Sequence, residues 1–328
     1  MPMVSVTFNA DDISAGPSGG ATFALAHISD PHISCIAGVR FGELLGKRIL
    51  GYLKWRLHRS TEHRHSVLTA LQQDLADTRP DHIAVTGDLT HLSLPAEFRQ
   101  TRQWLESLGT PNNVTVIPGN HDTYVKTAWP HSLAHWTDYM RSDNPDFGDT
   151  PASGFEGIFP SLRVRGRIAL IGVCTALPTA PHLAVGTVGN RQLQKLETLL
   201  ADTAEQDLFR VLMIHHPPAP GAVSWRKRLT DAPALQSLLA RHGAELVLHG
   251  HAHTTGLSEL KTPDGHVAVI GVPSASAPGR TLQHRARYFT YQITPRDSGW
   301  HLRLAVRVYS PDDNRFIAEH ENPFSRLP

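Results

Sequence analysis

The chain has 328 residues, 40% of them hydrophobic, and a net charge of +1 with histidine neutral. This composition is ordinary for a globular protein, and the near-zero charge excludes the broad positive field that favours binding to nucleic acid or membranes. The 21 histidines are the unusual count, and they favour a metal site because histidine is the commonest metal ligand. Two cysteines, Cys35 and Cys174, do not make a disulfide framework and indicate a reducing compartment.

The N-terminal residues 1–20 predict a loose tail, because glycine, proline and serine are frequent there. This segment lacks the basic start and the unbroken apolar stretch of a secretory signal. No apolar run in the sequence is long enough to span a bilayer. We therefore expect a cytoplasmic protein in which residues 21–328 form a single domain, since neither a repeat nor a linker divides them.

Strands and helices alternate in the first part of this domain. The apolar patterns predict strands at 21–29, 81–86 and 114–117 and helices at 66–78 and 95–108. Such alternation is typical of an α/β fold in which helices cover the faces of a sheet.

A basic, amphipathic insertion interrupts this alternation at about residues 39–65. Its apolar residues have helical spacing, and lysines and arginines surround them. Two interpretations stay open here. The helix either packs on the body with a solvated basic face, or it lies on an anionic surface or recognises a substrate.

The second part of the chain continues the same pattern. We predict a helix at 124–140, a hairpin at 157–174, a helix at 189–204, a strand at 209–214, a helix at 233–241 and a strand at 245–248. Three later strands are predicted near 267–271, 288–293 and 302–309.

Five of the predicted strands end in potential metal ligands. In chain order these are Asp30 and His32, Asp88, Asn120 and His121, His215, and His251 and His253. The carboxyl ends of parallel strands meet at one edge of a sheet, where ligands bind. Two carboxylates, one amide oxygen and several imidazoles suit Mn, Fe, Zn, Co or Ni rather than Ca or Mg. These are too many ligands for one tetrahedral ion. They suffice for two divalent ions that share a carboxylate, the usual device for hydrolysing phosphate esters.

The ordered motifs also resemble those of a known family. Asp30-x-His32, Gly87-Asp88, Gly119-Asn120-His121-Asp122, His215 and Gly250-His251-x-His253 together resemble the full signature of the calcineurin-like metallophosphoesterase superfamily. The resemblance runs from about residue 26 to residue 253. It implies a two-sheet αββα sandwich, an α/β fold, with a dinuclear metal site at its edge.

The resemblance also implies a role for each residue of the motifs. Asp30, His32 and His253 would hold one metal ion. Asn120, His215 and His251 would hold the second, and Asp88 would bridge the two. A hydroxide between the ions would attack the phosphorus.

Three further residues belong to the predicted site without being metal ligands. His121 would lie over the substrate phosphate as general acid or charge stabiliser, and Asp122 would orient it. His91 is a candidate contact for the phosphate, because it follows the bridging acid by three residues.

The motifs indicate the type of reaction more specifically than they indicate the substrate. The runs at 87–91 and 212–218 resemble the bacterial branch that includes cyclic-nucleotide phosphodiesterases, which implies a small phosphodiester. An alternative is a pyrophosphatase that acts on a nucleotide-linked lipid such as UDP-diacylglucosamine, with peripheral membrane contact through residues 39–65. An exonuclease is disfavoured because the chain lacks a basic footprint. A non-catalytic metal-binding scaffold is disfavoured because His121 accompanies an intact ligand set.

Substrate specificity should come from segments outside the motifs. We expect it from residues 39–65, 143–155, 176–188 and 221–230.

Overall fold

The structure is a computed structural model that describes residues 4–8, 21–35, 39, 41–44, 46–54, 63–144, 157–262, 265–279, 281–297 and 299–319. In chain order the described strands are β1 (Val4–Phe8), β2 (Phe23–Ile28), β3 (His82–Val85), β4 (Val114–Val116), β5 (Ser161–Arg165), β6 (Ile168–Gly172), β7 (Phe209–Met213), β8 (Leu246–His249), β9 (Gly256–Thr262), β10 (Gly265–Gly271), β11 (Arg287–Arg296), β12 (Gly299–Ser310) and β13 (Arg315–Ala318). The described α-helices are α1 (Lys47–Lys54), α2 (His65–Thr78), α3 (Pro95–Leu108), α4 (Thr137–Met140), α5 (Asn190–Glu205) and α6 (Ala232–His242). Within these ranges, every helix is too short or too polar to cross a membrane.

The strands form two mixed sheets. The first has the order β1-β12-β11-β2-β3-β4, with β13 also paired to β12, and the second has the order β5-β6-β7-β8-β10-β9. The neighbours β2, β3 and β4 are parallel to one another, and so are β7 and β8. These five strands precede the predicted ligands. The ligands that follow β2, β3 and β4 therefore lie at one edge of the first sheet, and those that follow β7 and β8 lie at one edge of the second.

Apolar side chains hold the sheets face to face. One core cluster contains Leu25 of β2 together with Leu170 of β6, and it extends to α2 and α3. Ile171, the next residue along β6, belongs to a second cluster with Leu196 of α5 and Leu235 of α6. Because successive strand side chains point to opposite faces, the second sheet is buried on both sides. The predicted αββα sandwich is confirmed.

The predicted helix at 124–140 is wrong. The chain makes two short 3-10 turns, Trp129–His131 and Leu133–Trp136, before the four residues of α4. Ala128 is extended, with φ −59° and ψ 135°, and Pro130 lies in the first turn that follows. Proline suits the start of a helical segment, because its missing N–H has no partner there, but it does not suit a helix interior.

The predicted tail and insertion are each described in part. Val4–Phe8 forms β1 and pairs in parallel with β12, which corrects the loose tail for these five residues. In the insertion, a 3-10 turn at Phe41–Leu44 precedes α1. Residues 55–62 lie outside the described residues, as do residues 145–156, which include most of the predicted specificity segment 143–155. The strands β9 and β13 were not predicted.

Candidate metal centre

The predicted ligands converge in two groups that share one carboxylate. Asp30, His32, Asp88 and His253 offer ligand atoms that all lie within 4.8 Å of one another, and so do Asp88, His215 and His251. All of these side chains are buried apart from His253, which is partly exposed.

In the first group, the ligand atoms point at one small volume. Nε2 of His253 lies 3.1 Å from Oδ1 of Asp30 and 3.1 Å from Nε2 of His32. Nε2 of His32 lies 3.8 Å from the same Asp30 oxygen. Two imidazole nitrogens and a carboxylate oxygen therefore face each other at distances that a shared cation explains.

In the second group, Asp88 and Asn120 approach the same histidine. Nε2 of His215 lies 3.4 Å from Oδ2 of Asp88 and 3.2 Å from Oδ1 of Asn120. Oδ2 of Asp88 also lies 4.0 Å from Nε2 of His32 in the first group. This single oxygen atom therefore stands between the two groups.

Backbone carbonyls fix the orientation of the histidine rings. Nδ1 of His32 lies 3.3 Å from the carbonyl oxygen of Thr90, and Nδ1 of His215 lies 2.7 Å from that of Thr86. Because a carbonyl only accepts hydrogen bonds, these nitrogens carry the hydrogen. In the neutral rings, Nε2 then keeps the lone pair that a metal ligand needs. For His251 the arrangement is reversed, since its Nε2 donates to the carbonyl of Lys227 at 3.0 Å.

Two glycines allow the loops to approach this closely. A Cβ atom at Gly119 would lie 2.3 Å from Oδ1 of Asp88 and 2.4 Å from its backbone nitrogen. A Cβ atom at Gly250 would lie 1.9 Å from Oγ of Ser29 and 2.4 Å from Oδ2 of Asp30. The side-chain-free backbone at these two positions is therefore part of the site.

Most of the predicted ligands lie on strained backbone. The residues with a left-handed φ include Asp30 (53°), His32 (44°), Asp88 (55°), His251 (67°) and His253 (57°). Residues with a side chain rarely adopt this region. Such outliers cluster at functional sites, where the surrounding structure holds them.

The electrostatics of the groups reflect burial and the close packing of opposite charges. Burial lowers the pKa of His32 and of His251 well below the usual range, and neighbouring histidines add to the effect. Burial opposes ionisation of Asp88, yet His215 and His121 hold its pKa well below the usual range. For His215, the Asp88 carboxylate outweighs burial and raises the pKa to about 9.

The buried carboxylate of Asp30 shows whether the first group of ligands suits a cation. Among the residues that the structure describes, Oδ1 of Asp30 accepts no hydrogen bond, although His253 and His32 are close. A buried, unsatisfied carboxylate oxygen costs free energy unless a charge or a hydrogen bond compensates it. The donor set of carboxylate, amide and imidazole is the one that divalent transition metals accept. The residues therefore fit a metal ion.

His121 lies beside these groups and is held from three directions. Its backbone nitrogen donates to Oδ1 of Asp88 at 2.6 Å, and its Nδ1 donates to the carbonyl of His91 at 2.6 Å. Its ring stacks between those of His91 and Tyr124, with centroid distances of 5.3 and 5.6 Å. The ring is therefore fixed next to the shared carboxylate.

Asp122 is placed differently from its predicted role. Its two carboxylate oxygens accept from the backbone nitrogens of Gly119, Leu89 and Thr90 at 2.8, 3.2 and 2.7 Å. The His91 carbonyl, rather than Asp122, accepts the Nδ1 hydrogen of His121. The expectation that Asp122 orients the His121 ring is therefore corrected: Asp122 ties together the loops that follow β3 and β4.

One histidine at the site was not predicted. The ring of His63 lies 4.5 Å from that of His32, and its Nδ1 lies 2.7 Å from Oγ of Ser276. His63 follows no strand and stands in the predicted insertion, so nothing in the sequence pattern points to it. The high histidine count was the only signal.

A cavity of about 500 Å³ opens onto the two groups. Its floor includes Asp88, Asn120, His121 and His251, and His91 also lines it. Its walls come from α1, from residues 181–184 and from residues 224–227. Three of the four predicted specificity segments thus contribute to the cavity, and most of the fourth, 143–155, lies outside the described residues.

The fold and this site define a class of protein. The family model for calcineurin-like phosphoesterases matches residues 23–255, and the chain belongs to this family. It is a metal-dependent phosphoester hydrolase. The fold alone is similar to that of a dimetal phosphatase from Danio rerio, with a TM-score of 0.56, 13% identity and coverage of 91% of this chain and 99% of that one.

The curated relatives include two phosphodiesterases of cyclic nucleotides. The chain is 30% identical to a probable cyclic nucleotide phosphodiesterase of Synechococcus over 70% of its length and 78% of the relative. It is 28% identical to the 3',5'-cyclic adenosine monophosphate phosphodiesterase CpdA of Escherichia coli K12, over 72% of its length and 76% of that protein.

Proposed function

We propose that this enzyme uses two divalent ions to hydrolyse a small phosphodiester, with a cyclic nucleotide as the first candidate substrate. The observation that carries the proposal is the position of Asp88, whose Oδ2 lies 4.0 Å from His32 in one group and 3.4 Å from His215 in the other. A carboxylate between two buried groups of ligands is suited to bridge two ions. The names of the two cyclic-nucleotide phosphodiesterases among the relatives support the diester.

The proposed ligand sets follow the two groups. Asp30, His32 and His253 hold one ion, and Asn120, His215 and His251 hold the other, with Asp88 shared. Mn, Fe, Zn, Co and Ni all suit these ligands. Bound there, the ions would supply charge to the phosphoryl oxygens and an activated water as nucleophile.

The protein's own contribution is to hold the phosphate and to manage a proton. His121 is the proposed general acid or charge stabiliser, because its ring is fixed beside Asp88 and lines the cavity. His91, stacked on His121, is the proposed further contact for the phosphate. Asp122 positions the loops that carry these groups.

The cavity supports a small substrate. A volume of about 500 Å³ is typical of small-molecule sites.

A pyrophosphatase acting on a nucleotide-linked lipid has no specific support from the comparisons, and peripheral membrane contact through residues 39–65 stays a prediction. So does the single domain over residues 21–328, which the core shared by both sheets supports. A cytoplasmic location also stays a prediction.

The test combines metal analysis with turnover. The enzyme is stripped with a chelator, reloaded separately with each of the five metals, and assayed on bis(p-nitrophenyl) phosphate and cyclic AMP. We expect two ions per chain in the active form. Asp88→Ala should lose both ions and nearly all activity. Asp202 is an exposed residue of α5, and Asp202→Ala is the control that should keep its metal content and its activity. Full activity with one ion, or normal metal content in Asp88→Ala, would contradict the bridging role.

A further inference from the structure

The walls of the cavity carry positive charge that the metal chemistry does not use. Lys47, Arg226 and Lys227 line the cavity, and Asp88 is the one carboxylate among the described residues that line it. Asp88 is already committed to the metal groups. A cleft lined by charge of one sign concentrates ligands of the opposite sign.

Lys47 holds one of these charges at the Tyr124 ring. Its ammonium lies 4.2 Å from the centroid of the Tyr124 ring, and that ring stacks on His121. The ammonium also donates to the carbonyl and hydroxyl oxygens of Thr179, at 2.9 and 3.1 Å. Both Thr179 groups and the ring are neutral, so these contacts hold Lys47 in place without cancelling its charge.

The other two charges stand on a backbone that is fixed to the metal site. The carbonyl of Arg226 accepts from the backbone nitrogen of Ala184 at 2.9 Å, and the carbonyl of Lys227 accepts from Nε2 of His251 at 3.0 Å. The side chains of Arg226 and Lys227 are exposed. Two cationic side chains are therefore presented beside a proposed metal ligand.

A simple phosphodiester does not account for three additional cations. A cyclic nucleotide or a dialkyl phosphate carries one negative charge, and that charge belongs to the phosphoryl group at the metals. We propose that the cavity binds a second phosphate group of the substrate at Lys47, Arg226 and Lys227. The substrate class is then a small phosphodiester that bears a further phosphate. This inference rests on the proposed function, because it concerns the same site.

Two esters that differ only in this phosphate provide the test. The p-nitrophenyl ester of thymidine 5'-phosphate has one negative charge, and the same ester with a 3'-phosphate has the additional group. With the metal-loaded enzyme, we expect kcat/KM to be about tenfold or more higher for the 3'-phosphorylated ester, in line with charge-assisted hydrogen bonds. The preference should fall as salt is raised.

The variant Arg226→Ala/Lys227→Met separates binding from structure. Its backbone carbonyls remain, so the bond to His251 is kept, and the ratio of kcat/KM for the two esters should fall towards one. Lys47→Met should also lower the ratio, and Lys47→Arg should restore it. Arg315→Ala, an exposed residue of β13, is the matched control and should leave the ratio unchanged.

The outcomes distinguish this inference from the proposed function. Equal kcat/KM for the two esters in the unmodified enzyme would overturn the second phosphate site and leave the phosphodiesterase proposal standing. A variant that slows both esters equally would also overturn it, because the side chains would then serve the structure. If no diester is hydrolysed under any metal, the proposed function itself fails.

Discussion

Glu97 is a buried carboxyl group that should cost the enzyme stability at neutral pH. It is fully buried in the first turn of α3, and its Oε2 accepts from the backbone nitrogens of Leu92 and Leu94 at 2.8 and 3.0 Å. Its Oε1 accepts no hydrogen bond from the described residues. Burial raises the pKa of Glu97 to about 7, although the backbone N–H groups oppose this shift.

The sign of the effect follows from proton binding. A carboxyl group with a raised pKa in the folded state binds its proton more tightly there than in the unfolded chain. The contribution of Glu97 to the free energy of unfolding is therefore most favourable below the ordinary pKa of 4.5. It falls as the pH rises to about 7 and stays constant above that pH. The difference corresponds to roughly 3 kcal/mol. Glu97→Gln removes the ionisation and keeps a side-chain oxygen that can accept from the same backbone nitrogens.

We expect Glu97→Gln to be about 3 kcal/mol more stable than the unmodified chain at pH 8 and about equally stable at pH 4.5. Urea unfolding of the metal-free proteins, followed by circular dichroism at both pH values, measures the difference. Glu205→Gln, an exposed residue at the end of α5, is the control and should change neither value. An equal difference between Glu97→Gln and the unmodified chain at both pH values would refute the reasoning, because Glu97 would then titrate normally.

Two further substitutions test the site itself. His121→Ala should keep both metal ions yet lower kcat by about 10²–10⁴-fold, the worth of a positioned acid–base group; an unchanged kcat with full metal content would exclude that role. Gly119→Ala should lose metal and activity, because its Cβ would lie 2.4 Å from the backbone nitrogen of Asp88. Gly256→Ala is the control, because a Cβ there meets nothing within 4 Å, and it should retain metal and activity. Mass spectrometry of the bound metal distinguishes the two glycine variants.

The convergence of the ligands could be predicted from the sequence because it depends on strand direction. β2, β3 and β4 are short apolar runs, and each is followed within four residues by an acid or an amide. Once such strands are parallel, their ends share an edge, whatever the loops do. The predicted positions of Asp30, Asp88 and Asn120 needed no knowledge of the loop conformations.

The features that could not be predicted depend on loop conformation. The sequence places Asp122 next to His121, but the turn directs its carboxylate to the backbone of Leu89 and Thr90. His63 reaches His32 from a segment that carries no strand signal. The segment at 124–140 has helical spacing, yet Pro130 and an extended Ala128 divide it. For Asp122 and His63 the conformation of the loop, rather than a residue type, decides the outcome.

The strained ligands show what the loops contribute to function. Asp30, His32 and Asp88 would be relieved of strain by glycine, which tolerates a left-handed φ, but glycine offers no ligand atom. Hydrogen bonds continue the pairing of β2 with β3 past the strand ends, from the nitrogens of Asp30 and His32 to the carbonyls of Gly87 and Asp88 at 3.0 and 3.1 Å. These bonds hold conformations that each cost on the order of 1–3 kcal/mol. The sheet thus fixes buried carboxylates near one another before any cation compensates them, and a bound metal should stabilise the fold because it removes that repulsion.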